Sequence, residues 1–204
     1  MSTVGQAFRE SFGLPAPVTP TGFHFTKSWH ETGWKSLSEE IGAGYFMEGF
    51  LYLWGDAISD FDAVLSQWPF LWTEGTDYRT MGKNAYGSLL IVENEATDGM
   101  SARVGILSPL SVSYRRSEHR LFNNTIGNYL PQGKLPEFLD DSIYKAWLQE
   151  SDDGLAVDEI LAIKTPLSLG GKMEPANFQV ESIFDYYRTT GEIYAKRFDD
   201  DQLR

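Results

Sequence analysis

The sequence predicts an α+β fold: a modest, mainly antiparallel sheet with packed helices and a C-terminal amphipathic helix. Three observations lead there. Short branched and aromatic runs separated by turn residues gather in the middle of the chain, apolar residues recur at helical spacing around them, and no repeat or low-complexity tract interrupts the pattern. With 204 residues, 42% of them apolar and 14% aromatic, the chain has the material for a core. A chain of this length buries about 70% of the surface its unfolded form exposes.

In order along the chain, a short helix is expected around Gln6 to Phe12, followed by an extended lead-in set by Pro15, Pro17 and Pro20, whose fixed φ and missing N–H exclude a helix. An aromatic segment with His24, Trp29, His30 and Trp34 comes next. Ser36 to Ile41 reads as a helix stopped by Gly42 and Gly44, and Tyr45 to Trp54 as one strand. Ser59 caps a helix whose Ile58, Phe61, Leu65 and Trp68 share a face until Pro69 ends it. Ser88 to Glu93, Ala102 to Leu107 and Ser111 to Arg115 then form a small antiparallel meander. The polar stretch Asn123 to Gly133 reads as a loop, dividing segment 1–120 from 121–204, two regions packed as one globule. Pro136 opens a helix that runs to Glu150 on the apolar face of Phe138, Leu139, Ile143, Ala146 and Trp147. Glu159 to Leu169 is a compact apolar run broken by Pro166. A last helix spans roughly Asn177 to Phe198, with Val180, Ile183, Phe184, Tyr187, Tyr194 and Phe198 on one side and Gly191 as its weak point.

The formal charge is −12, and its distribution is informative. Residues 1–100 hold 13 acids and 5 bases, while residues 101–204 hold 16 acids and 12 bases, so two thirds of the net charge lies in the first half. Residues 36–78 contain no Lys or Arg, yet carry eight acids and ten aromatics. An ordinary solvated face mixes signs. A one-sign face with a few exposed aromatics suits docking to a basic protein, and Glu39, Glu40, Glu48, Asp56, Asp60 and Asp62, with Trp54 and Trp72 as anchors, are the candidate partner-binding residues. Most aromatics of the segment are nonetheless expected in the core. This charge disfavours direct binding to nucleic acid or to an anionic membrane. The longest apolar stretch near the centre, Phe50 to Trp54, is five residues where a spanning helix needs about 20, and Met1 to Phe12 has no apolar run for a signal peptide, so a cytoplasmic protein is expected.

The absence of Cys removes thiolate metal sites and cysteine nucleophiles. Gly170, Gly171 and Lys172 lack the upstream glycine of a phosphate loop, and His30 and Glu31 are not followed by the second His of a metalloprotease helix. No cofactor or metal is expected. The adjacent pairs Asp140/Asp141 and Asp152/Asp153 read as helix-end charge, because neighbouring residues on a helix point about 100° apart. Arg115, Arg116 and Arg120 read as partners for surplus carboxylates.

Gly42 to Trp54 (GAGYFMEGFLYLW), the helix ending at Trp68 and Asn84 to Val92 (NAYGSLLIV) resemble the GAD-like region of bacterial proteins. Gly154 to Lys172 (GLAVDEILAIKTPLSLGGK), with its acidic pair Asp158 and Glu159 and its run from Pro to Gly-Gly, followed by the terminal amphipathic helix, is similar to the C-terminal domain of immunity proteins against type VI secretion DNase effectors. The resemblance implies a non-enzymatic, stoichiometric inhibitor bound to a cognate nuclease in the cytosol of the producing bacterium. The charge reading agrees with it, since a nuclease presents a positive cleft to phosphates and an acidic partner is steered there. Two rival readings are a small-molecule hydrolase using His24 or His30, and an adaptor that loads an effector for secretion.

Overall fold

Six strands run as an antiparallel meander in chain order: β1 (Gly44–Phe46), β2 (Leu51–Leu53), β3 (Asp77–Asn84), β4 (Leu89–Asn94), β5 (Arg103–Ser108) and β6 (Ser113–Leu121). The computed structural model describes residues 4–16, 40–53, 61–72, 77–94, 103–121, 124–151 and 153–202. A second, two-stranded sheet pairs β7 (Glu159–Ile163) with β8 (Phe178–Ser182). The helices are α1 (Val4–Phe12), α2 (Phe61–Leu65), α3 (Pro136–Leu139), α4 (Ser142–Leu148) and the long α5 (Ile183–Gln202). This is the expected α+β class, with its mainly antiparallel sheet and C-terminal helix.

Several elements differ from the sequence reading, each for a physical reason. The single strand expected over Tyr45 to Trp54 is a hairpin. Met47, Glu48 and Gly49 all take positive φ (52°, 58° and 97°) and reverse the chain between β1 and β2. Left-handed backbone is costly for Met and Glu. What it achieves is the burial of Phe50, 1% exposed, whose ring meets Tyr86 at 5.4 Å and Tyr144 at 5.8 Å. Strand β3 has no apolar alternation; three of its polar residues, Thr80, Lys83 and Asn84, are buried instead. Asn84 closes the β3–β4 turn, its Oδ1 accepting the N–H groups of Tyr86 and Ser88 at 3.0 Å each, while its Nδ2 donates to the Phe138 carbonyl. The polar stretch expected as a loop contains a π-helical turn at Thr125–Tyr129, which packs on α1 and buries Ile126 and Leu130.

The helix expected from Pro136 to Glu150 is two helices. Asp140 is extended (ψ 102°) and its Oδ1 accepts the Ser142 N–H at 3.1 Å, so side-chain competition for the backbone restarts the helix there. The terminal element likewise divides: Phe178–Ser182 is strand, and helix begins only at Ile183. Ile183, Tyr187 and Tyr194 are buried as the helical spacing predicts, whereas Val180, on the strand, is exposed.

Trp68 organises the junction of α2 and α5. Fully buried, it donates from Nε1 to the Tyr187 carbonyl at 3.0 Å and packs on the rings of Tyr187 and Tyr194. Tyr187 in turn donates to the Gly87 carbonyl at 2.9 Å, and the Leu161 N–H to the Ala85 carbonyl at 2.7 Å. These bonds tie α5 and β7 to the β3–β4 turn. Buried apolar residues from before and after position 120 belong to one core cluster.

Candidate functional site

The carboxylates of the base-free segment meet different fates. Glu40 is half-buried and its Oε2 accepts the Gly5 N–H at 3.0 Å, satisfying a free donor in the first turn of α1. A Cβ at Gly5 would lie 2.4 Å from that of Glu40, so the approach requires glycine. Asp62 also works within the fold. Its Oδ1 accepts the Thr80 N–H at 2.7 Å and the Thr80 hydroxyl at 2.8 Å, and its Oδ2 accepts from Arg79 at 3.2 Å. Trp72 is half-buried, donating from Nε1 to the Leu65 carbonyl at 2.7 Å, with its ring 4.9 Å from Tyr78 and 5.0 Å from Tyr114. Beneath these rings the Tyr114 hydroxyl donates to the buried Glu93; burial and that carboxylate hold the phenol well above its usual pKa. Glu39, Trp54, Asp56 and Asp60, together with His24 and His30, lie outside the described residues.

Glu48 is different. It is exposed at the tip of the left-handed β1–β2 turn, and its own carbonyl is held by the Tyr144 hydroxyl at 3.0 Å. A Cβ at Gly49 would lie 2.6 Å from that hydroxyl, so the turn and α4 are fitted closely. Burial raises the Tyr144 pKa to about 12, with the Glu48 charge adding to it. Next to it, Lys145 is bound by Asp141 at 2.9 Å, and its pKa is raised by the hydrogen bond and charge of Asp141 and further by Glu48. Asp140, with Pro136, Glu137 and Leu139, lines an open groove of about 480 Å³. Glu137 pairs with Arg115 at 2.7 Å across exposed surface.

Glu48 thus stands beside α4 residues that the charge gap did not single out. Asp140 and Asp141 occupy the helix ends, as expected from their adjacency, and Asp141 shares Lys145 with Glu48. The proximity arises from the Tyr144 hydrogen bond over 96 residues of chain, for which no local pattern exists. Among the described residues, no group of three or more His, Asp or Glu is placed to hold a metal ion, and no helix is long and apolar enough to cross a membrane.

The Asp62 geometry carries a prediction. Asp62→Ala removes three hydrogen bonds and strands the buried Thr80 N–H, an expected loss of about 3 kcal/mol in chemical denaturation. Asp62→Asn retains an acceptor for Thr80 and is expected to lose about half of that. Equal losses from both substitutions would show that the Arg79 pair, not the Thr80 bonds, dominates.

No protein-family model matches the chain, and no curated protein does. Among solved structures, the crystal structure of Atu4351 from Agrobacterium tumefaciens is similar, with a TM-score of 0.59 at 12% identity, over 91% of this chain and 87% of that one. The likeness is one of fold.

Proposed function

We propose that the protein is an immunity protein that binds and neutralises a cognate type VI secretion DNase in the cytoplasm of the producing bacterium, without catalysing a reaction. The observation that carries this reading is Glu48: an exposed carboxylate from a 43-residue segment devoid of bases, held out on a turn whose backbone is left-handed at two non-glycine residues. Sparsely populated backbone conformations concentrate at sites of function, where surrounding packing enforces them. The resemblance of Gly42 to Trp54, which contains this turn, to the GAD-like region supports the same reading, as does the net charge of −12 opposite a nuclease's positive cleft.

Asp62 and Glu40 are partly buried and accept main-chain N–H groups from distant segments, so both are assigned to structure rather than to the interface. Glu48, Glu137 and Asp140 are the surface acids that face a partner. The test is co-expression with the nuclease encoded in the neighbouring reading frame, together with association kinetics at low salt. Reversing all three to Lys is expected to slow association about tenfold and to restore toxicity, while the lost Asp140 bond to Ser142 and the Glu137 pair with Arg115, both exposed, cost about 1–2 kcal/mol of stability and leave the chain folded. Full protection by the triple variant would sink the acidic-surface reading.

A further inference from the structure

Among the described residues, strand β8 is paired on one side only. The register of β7 on β8 is unbroken from Glu159↔Ser182 to Ile163↔Phe178, flanked by the Lys164 N–H donating to the Asn177 carbonyl and the Ile183 N–H to the Asp158 carbonyl, both at 2.8 Å. In an antiparallel ladder the main-chain groups of alternate residues point to opposite sides. Asn177, Gln179, Glu181 and Ile183 therefore turn theirs toward β7, and Phe178, Val180 and Ser182 turn theirs outward. Among the described residues no strand pairs with that outer side.

The edge is short and carries one charge, Glu181, but lacks the other usual protections. It has no Pro, no Lys and no bulge, and the Val180 side chain is 44% exposed. Three more exposed apolar residues, Leu167, Leu169 and Met173, lie in the loop leading into β8. Asn177 folds that loop against the start of the strand, donating to the carbonyls of Thr165 and Lys172 at 2.9 and 3.0 Å. The loop that carries these apolar residues is thus fastened to the start of β8.

We infer that β8 pairs with β8 of a second copy of this chain, antiparallel and two-fold symmetric about Val180, joining two β7–β8 pairs into one four-stranded sheet. The side chains select this occupant and this register. Centred on Val180, the outward groups of the two copies meet; with the Ser182 carbonyl already accepting in the first turn of α5, about four main-chain hydrogen bonds form. Gln179 then faces Glu181 of the other copy, an amide against a carboxylate; within one chain the same pair is already compatible, the Gln179 amide donating to Glu181 at 3.2 Å. Centring on Glu181 would oppose two carboxylates and present the main-chain groups already used by β7. Centring on Ser182 runs into α5, which begins at Ile183. The net charge of −12 per chain opposes association, so the dimer strengthens as salt is added.

Sedimentation equilibrium of the full chain is the test. A monomer–dimer equilibrium is expected that tightens with salt. Val180→Pro removes an outward N–H without touching the β7 ladder and is expected to give a monomer with an unchanged circular dichroism spectrum. Gln179→Glu places like charges opposite each other twice and is expected to weaken the dimer about tenfold, while adding Glu181→Gln restores it. Because Gln179 and Glu181 lie at the surface, this pair keeps the test meaningful should the proline impair folding. A wild type that stays monomeric at about 100 μM, a dimer indifferent to both single substitutions, or a double variant as weak as Gln179→Glu would overturn the inference.

Discussion

Gly191→Ala is expected to destabilise the protein by about 3 kcal/mol, although the same change in an isolated helix is stabilising by up to about 1 kcal/mol. Gly191 lies inside α5 and is buried where that helix crosses the end of α2. A Cβ there would stand 2.1 Å from the Gln67 carbonyl oxygen and 3.2 Å from the Trp68 ring. The first of these atoms is backbone, so relief requires α5 to move away from α2. Such a shift strains the Trp68 Nε1 bond to the Tyr187 carbonyl and loosens a tryptophan that is fully buried. In thermal unfolding the loss corresponds to a fall of roughly 10 °C for a chain of this size. The sign decides between two accounts of this glycine. Propensity alone makes it a weak point whose replacement strengthens the helix; close packing makes it the condition for docking α5. A rise in melting temperature would show that the helix gives way at little cost.

The same residue shows which parts of the architecture were legible in sequence. The spacing of Ile183, Tyr187 and Tyr194 identifies α5 and its buried side, since a helix repeats its contacts every three or four residues whatever it packs against. That spacing also carried the helix reading back through Val180, because FQVES shows strand alternation over too few residues to outweigh it. Strand β3 is not legible in the sequence: DYRTMGKN reads as polar, and it is buried because Asp62 and the Glu159 and Phe138 carbonyls come from elsewhere in the chain to satisfy Thr80, Lys83 and Asn84. The acidic bias of the first half was plain from counting. Which carboxylates remain outward was not, because Glu40 and Asp62 find their N–H partners 35 and 18 residues away.

Stability is expected to rise with pH from neutrality to about pH 9.5, the reverse of what a chain with a surplus of acids would show through self-repulsion, and Lys83 is the reason. It sits in β3 opposite Tyr52, is 2% exposed, and donates from Nζ to the Glu159 carbonyl. Burial pushes its pKa down from 10.5 to about 7, against the smaller opposing pull of the Asp158 and Glu159 charges. Between those values the unfolded chain carries the proton and the folded one does not. Raising the pH therefore removes a proton that only the unfolded state holds, and favours folding. From pH 7 to about 9.5 the gain is on the order of 3 kcal/mol, and below the folded pKa the contribution flattens out because both states are charged. The phenols set the upper limit. Tyr52 faces Lys83 from β2 and Tyr45 pairs with Tyr52 from β1; both are shifted upward, chiefly by burial, as are Tyr86 and Tyr144. Above pH 10 they ionise in the unfolded chain first, and stability falls. Urea titrations across this range are expected to give a maximum between about pH 9 and 10. Lys83→Met keeps the apolar stem and loses the titrating group, so it is expected to abolish the rise, to exceed wild type near pH 6, where the buried ammonium is charged, and to fall behind it near pH 9.5, where only the hydrogen bond to Glu159 separates them. A wild-type profile that is flat or falling over the same interval would mean that the ammonium stays charged inside the fold, and that Asp158 and Glu159 outweigh the burial that displaces its pKa.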